Sequence, residues 1–440
     1  MKALLIVLAV AYFAYSAFNI WRRPGVFAGL LFCGFGVGAI LGPLGTAISI
    51  VAVLACAAMF VLKPPSGVSL APSEVALVLW FAQTTLFGLW SPQMDLTTFY
   101  LLSLYGLGLS SYLFARTFAT TPNFVPQAYW STAFGMAICY MSLVTSAKTI
   151  GRLGMTSGST GDALNSVGLS TLPEAGMILS FAILLFDREM RMPLKVVVLL
   201  VMAFVMVPFM ISTGTRGVMV SVALVLGIYL VMYAYQNGLR SISRAIAIAA
   251  VGIPAGVVLF IAAAPTRLKL TMAGGLYRIM GPHQAGASSV KERWDIFDQA
   301  IGLIKESPFL GYGPGSYSYM NDGIDAGSNY PHNLELELLM TGGLVGLTLF
   351  AWFVLPLVWH LIVDAFRKPI SLEAAAILGL LVSQLFRLQL SFALASAKLF
   401  FFALGAAAAL WAARRAAQRP DISAAPAALA PPEVMPHPGS

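Results

Sequence analysis

Charge is the scarcest commodity in this sequence. Of 440 residues only 10% are Asp, Glu, Lys or Arg, while 59% are hydrophobic. A soluble domain carries about 25% charged residues. No water-soluble fold of this size can hide so much apolar sequence, so the chain reads as an all-α polytopic membrane protein. Cysteine is scarce too. Cys33, Cys56 and Cys139 are scattered through apolar runs without CxxC spacing, which argues against a disulfide framework and a thiolate metal site and leaves small buried filler. The four histidines, His283, His332, His360 and His437, have no ligand spacing, so no metal and no other cofactor is expected. A GxSxG nucleophile elbow and a Walker GK[ST] are both missing. The net charge of +8 therefore reports topology rather than a nucleic-acid partner.

What is present is a series of apolar segments, each long enough to cross a core of about 30 Å. They lie near 3–20, 26–42, 45–62, 75–91, 98–115, 125–145, 171–186, 196–212, 218–235, 245–264, 342–360, 374–391 and 396–413, which predicts 12–13 transmembrane helices. The first ends on Trp21-Arg22-Arg23 rather than on a small-x-small cleavage site, and reads as a retained helix. Alternate connections differ in charge. Arg22, Arg23, Lys63, Arg116, Arg188, Arg191, Lys195, Arg240, Arg244, Arg367, Lys368, Arg414, Arg415 and Arg419 fall on one side. The N-terminus and the short connections opposite hold only Lys2, Lys148, Arg152 and Arg216. The positive-inside rule makes the first side cytoplasmic. The expected organisation is membrane helices over 1–264, an extracytoplasmic loop over 265–341, three further helices over 342–413 and a disordered Ala/Pro-rich cytoplasmic tail over 414–440.

Cations at the outer membrane edge are candidates for chemistry, because polar groups there are costly. Arg216, in ISTGTRGVMV, either anchors a helix end by snorkelling or offers its guanidinium to a ligand among small neighbours. Arg387 stands 14 residues beyond Glu373, about 21 Å across the bilayer from the cytoplasmic end of its helix. Lys398 opens the returning helix at a similar depth. Convergence of Arg216, Arg387 and Lys398 would suit a diphosphate, since guanidinium forks bind its oxygens bidentately. The long loop adds Arg267, Lys269, Arg278, Lys291, Arg293 and Lys305. Most of these read as a solvated face. Arg293, beside Trp294 in an amphipathic helix with Trp294, Phe297 and Ile301 at helical spacing, is the one to single out.

The loop ends on GYGPGSYSYMNDGIDAGSNYPHNLELELLM, residues 311–340. Without a preceding strand or a βαβ unit its glycines are no phosphate cradle, and they predict a sharp turn that packs the loop on the membrane domain. Pro331 favours a helix starting there, which would set His332 and Glu335 on one face with Glu337 pointing elsewhere. His332 is then either a surface histidine capping an interfacial helix or a general base oriented by Glu335.

The segment His332-Asn333, nine residues, Gly343-Leu-Val-Gly346 resembles the H-[NSQ]-x9-G-x-x-[GTY] pattern of the O-antigen ligase and O-antigen polymerase superfamily. STGTRG around Arg216 is similar to that family's S-x-S-R-G, with Thr215 replacing the second serine, and the Arg-Trp helix followed by PFLGYGPGS lies where the family has its long outer loop. The likeness covers residues 205–350 in motif and the rest in topology. It implies a glycosyltransferase of the bacterial inner membrane, without a nucleotide-sugar site or metal and with its active site facing the periplasm. The donor would be a glycan on undecaprenyl diphosphate. The acceptor would be a hydroxyl of lipid A-core (a ligase) or of a growing glycan (an O-antigen or exopolysaccharide polymerase). His332 and Glu335 would be catalytic, and Arg216, Arg293, Arg387 and Lys398 would hold the donor diphosphate. The contrasting class is a lipid-linked glycan transporter, which inverted repeats would favour and whose cations would line a path.

Overall fold

A bilayer offers no water to unpaired backbone groups, so apolar segments either become helices or do not cross. The computed structural model describes residues 2–41, 71–146, 166–240, 266–280, 284–322, 330–390 and 393–418, with isolated positions between 243 and 264. Among them there is no strand, and every expected apolar segment that falls there is helical. The segments at 45–62 and most of 245–264, and the tail from Arg419, lie outside the described residues. Among the described residues six helices are long and apolar enough to span a membrane, so this is an all-α, multi-pass membrane protein.

The helices are α1 (Lys2–Phe18), α2 (Pro24–Leu41), α3 (Pro72–Gly88), α4 (Met94–Phe118), α5 (Phe124–Ser146), α6 (Ser166–Phe186), α7 (Met192–Thr213) and α8 (Arg216–Asn237). The loop contributes α9 (Thr266–Met280), α10 (Gln284–Glu306) and α11 (Ser316–Asp322). α12 (Leu334–Ala365), α13 (Leu372–Leu388) and α14 (Lys398–Gln418) complete the bundle. Because α14 runs on through Arg414 and Arg415, the expected tail begins later than 414.

Small residues and internal ion pairs hold these helices together, since lipid tails are as apolar as Leu. α2 lies tightly on α5 because Gly25 and Gly29 face it, and a Cβ on Gly25 would stand 2.6 Å from Gln127 Cβ. Arg116, expected among the cytoplasmic connections, is instead buried and paired with Glu74 at 2.7 Å, with Tyr112 donating to the same carboxylate at 3.0 Å. α7 carries a π-helical turn at Met202–Met206, just before Pro208. Proline has no N–H and crowds the carbonyl four residues back, so the ladder slips there.

α13 is central. It packs on α14, α8, α6 and α12, and its last turn carries Arg387, 3% exposed. α12 is broken near its start, where Gly343 leaves helical geometry with φ +59° and ψ −158°. That break and the end of α13 frame the site.

Candidate functional site

The break in α12 and the glycine-rich loop are halves of one structure. A helix interrupted at Gly343 leaves carbonyls and N–H groups unpaired, which is costly at membrane depth unless neighbouring backbone supplies partners. Residues 308–313 supply them. Tyr312 and Gly313 donate to the Met340 and Thr341 carbonyls at 2.7 and 3.1 Å, while Leu344 and Val345 donate to the Pro308 and Phe309 carbonyls at 2.9 and 3.3 Å. Only glycine permits this approach. Gly311 has φ +67°, a Cβ there would stand 2.6 Å from the Met340 carbonyl oxygen, and one on Gly343 would collide with Phe309. The expected turn therefore packs the loop onto the membrane domain, and Pro314 ties it further by accepting from Thr97 Oγ1 at 2.9 Å.

α10 lies over this junction. Its buried stripe is Ile296 and Ala300, with Phe297, Leu303 and Ile304 beside them, packed on Tyr317, Met340, Tyr312 and Leu336. Trp294 and Ile301, expected on the apolar face, are exposed. The packing face is rotated from the expected one, and Phe297 is the residue the two share. This seating fixes Arg293, one residue before Trp294, on the side of α10 toward His332.

His332 does not begin a helix. Asn333 is the N-cap of α12, its Oδ1 accepting from the Leu336 N–H at 3.0 Å, and His332 lies outside with φ +55°. The expected face shared with Glu335 therefore does not form. Glu335 is exposed and accepts instead from Gln389 Nε2 at 2.9 Å, while Gln389 Oε1 accepts from Asn333 Nδ2 at 2.7 Å. That amide relay fastens the start of α12 to the end of α13. Glu335 does not orient the imidazole, and the correction follows from an N-cap one residue past the histidine.

The imidazole of His332 is half-buried against Tyr330, ring centroids 4.2 Å apart, and its Nδ1 is buried without a hydrogen-bond partner among the described residues. Burial first, then the nearby Arg293 guanidinium, push its pKa down to about 4. Both effects disfavour the imidazolium, so His332 is neutral at physiological pH. Burial and then Glu337 raise the Tyr330 phenol well above its ordinary range, against a weaker opposing pull from Arg387 and Arg293. Tyr330 thus sits within the fields of Arg293 and Arg387, from different elements, and His332 within that of Arg293.

Arg387 reaches the cluster already balanced. Its guanidinium donates to Glu174 Oε2 at 2.8 Å, and Ser221 and Gln384 also donate to that buried carboxylate. It was expected to converge with Arg216 and Lys398 on a diphosphate, and here its guanidinium is engaged by the Glu174 carboxylate. Lys398 is committed elsewhere: its ammonium donates to the Leu31 carbonyl of α2 at 2.6 Å, beside Cys33 and Cys139. Arg216 opens α8 after the left-handed Gly214 (φ +61°) and is exposed. A Cβ on its neighbour Gly217 would meet Leu390 at 4.0 Å, so its turn borders the end of α13. The structure therefore gathers the 213–217 turn, Arg293, residues 330–335 and residues 387–390 around one place, and leaves Lys398 out.

Sequence reasoning missed Glu174 and gave Glu337 no role. Glu174 follows Pro173 inside an apolar run, and an acid there is a candidate by default. Glu337 is buried, accepting from Tyr100 at 3.1 Å and from the Leu394 N–H at 3.0 Å. Nothing in its local sequence names those partners.

Comparison with known proteins adds a family. A model described as O-antigen ligase matches residues 209–351, which takes in the Arg216 turn, the loop helices, His332 and the break in α12. No curated protein sequence matches the chain significantly.

Proposed function

We propose, from the match of residues 209–351 to a model described as O-antigen ligase, that this chain belongs to the O-antigen ligase/polymerase superfamily and is a glycosyltransferase of the bacterial inner membrane working at the periplasmic face. The donor is a glycan on undecaprenyl diphosphate, and the acceptor is a sugar hydroxyl of lipid A-core. The observation that carries this reading is His332, half-buried against Tyr330 and within the field of Arg293, inside the matched segment.

In this account the acceptor oxygen attacks the anomeric carbon as the bond from that carbon to the diphosphate oxygen breaks. The hydroxyl proton passes to the His332 imidazole, and the bonding pair leaves with the lipid diphosphate. Arg216 and Arg293 hold the diphosphate and stabilise the charge it gains. Diphosphate is a good leaving group, so positioning and charge stabilisation supply most of the acceleration. Arg387, fixed by Glu174, braces the wall behind Tyr330 rather than adding net charge. Gln389 and Asn333 set the backbone that presents the histidine.

The same arrangement serves a polymerase that joins repeat units, and the glycans of a deletion strain decide between the two. Capped cores lacking long chains, restored by the wild-type gene but not by His332→Ala, are expected for a ligase. Single-repeat products would assign a polymerase, and an unchanged envelope would overturn both.

A further inference from the structure

α1, α2 and α5 enclose a cleft of about 640 Å³, far along the chain from Arg216 and His332. Leu8, Ala11, Trp130 and Phe134 form an apolar wall, and Arg23 and Gln127 line it as well. Much of its polar lining is spent within the protein. Tyr12 donates to the Ser131 carbonyl at 2.9 Å, and Ser131 Oγ donates to the Val26 carbonyl at 2.5 Å. Two groups remain. Arg23 is exposed beside Arg22 and reaches the Tyr15 hydroxyl at only 3.4 Å. Gln127 Oε1 is buried with no hydrogen-bond partner among the described residues. The glycine packing of α2 on α5 holds Gln127 and Ser131 in place, so the cleft is preformed.

A buried amide oxygen without a donor costs free energy until one arrives. An arginine at the mouth of an apolar cleft asks for an anion attached to a chain. We propose that this cleft binds one phosphatidylethanolamine molecule. Its phosphate meets Arg23, its ammonium donates to Gln127 Oε1 once the amide turns toward the cleft, and an acyl chain lies along Trp130 and Phe134. A free anion would leave the apolar wall wet and the amide oxygen unmet, and a choline headgroup has no N–H to give it. The site is independent of the glycan-transfer reading, because it uses none of the residues on which that reading rests.

Native mass spectrometry of the full chain in detergent, with phosphatidylethanolamine, phosphatidylcholine or phosphatidylglycerol added in equal amounts, tests this. Wild type should retain phosphatidylethanolamine about tenfold better than phosphatidylcholine, the size of one charge-assisted hydrogen bond. Gln127→Leu should abolish that preference while still retaining lipid, and Arg23→Ala should weaken retention of all three. Ala11→Trp, which fills the cleft, should lower retention of every lipid, with an unchanged Tm as the folding control. If Ala11→Trp lowers the Tm, the Gln127→Leu and Arg23→Ala results decide. Equal retention of phosphatidylethanolamine and phosphatidylcholine by wild type, preference for phosphatidylglycerol, or indifference to Gln127→Leu and Arg23→Ala would overturn the proposal.

Discussion

His332 holds a backbone conformation, φ +55°, that few residues with a side chain adopt, at a cost of about 1–3 kcal/mol. The Asn333 cap and its bond to Gln389 hold it there. His332→Ala is expected to lower glycan transfer about 10²- to 10⁴-fold, the range for loss of a general base, with little change in Tm. On the proposed reading its protonation sets the acid limb. With a folded pKa of about 4 against the usual 6.5, the base stays free above that value and is lost as pH falls through it. Arg293→Gln removes one cause of the depression, so the limb in the kcat/KM profile should move upward while burial keeps it below 6.5. Glu335→Gln should stay within about fivefold of wild type, since its bond to Gln389 is a single exposed one. The histidine stood out in the sequence because it heads a spaced motif, whereas the helix start beside it was misread. Pro331 suggested a helix start, but Asn333, which can accept from the N–H three residues on, is the stronger cap.

At the scale of elements, the exchange of hydrogen bonds between residues 308–313 and the break at Gly343 mounts the loop on the bundle. Gly343→Ala forces a side chain into positive φ and against Phe309, and should cost at least about 2 kcal/mol. Limited proteolysis should then cut the loop in the variant before the bundle unfolds. The turn itself was legible in GYGPGS, but its partner was not, because that pairing exists only once the loop has docked. The Glu174–Arg387 pair was half legible, since depth counting found the arginine while the acid in the facing helix went unweighed. Removing one partner of a buried pair costs about 3–5 kcal/mol, and replacing both with apolar residues of like size costs little. Glu174→Ala should therefore unfold early in a thermal melt. Glu174→Met with Arg387→Met should recover stability but not transfer, which separates the wall's part in binding from its part in the fold.

For the whole molecule, scarcity of charge was enough to call an all-α membrane protein, and apolar runs placed the described membrane helices to within about five residues except α12, which starts eight residues early at Leu334. Sequence spacing could not say which cations meet. It grouped Lys398 with Arg387, yet the lysine faces α2 while the arginine faces Glu174, because rotation about each helix axis is decided by packing. The orientation read from loop charge is open to direct labelling. In a chain freed of native cysteines, a membrane-impermeant maleimide should reach Asp295→Cys from the periplasm and Glu189→Cys only after lysis, and the reverse pattern would invert the topology. The central claim is glycan transfer at His332 and Arg216, and reconstitution tests it most directly. Purified chain in liposomes is given undecaprenyl-diphosphate-linked glycan and acceptor, and both the new glycosidic bond and the released lipid diphosphate are measured. Wild type should form both together, with His332→Ala and Arg216→Ala each at least about a hundredfold slower at unchanged Tm. Wild-type rates in either variant, or donor that crosses the bilayer without yielding product, would contradict it.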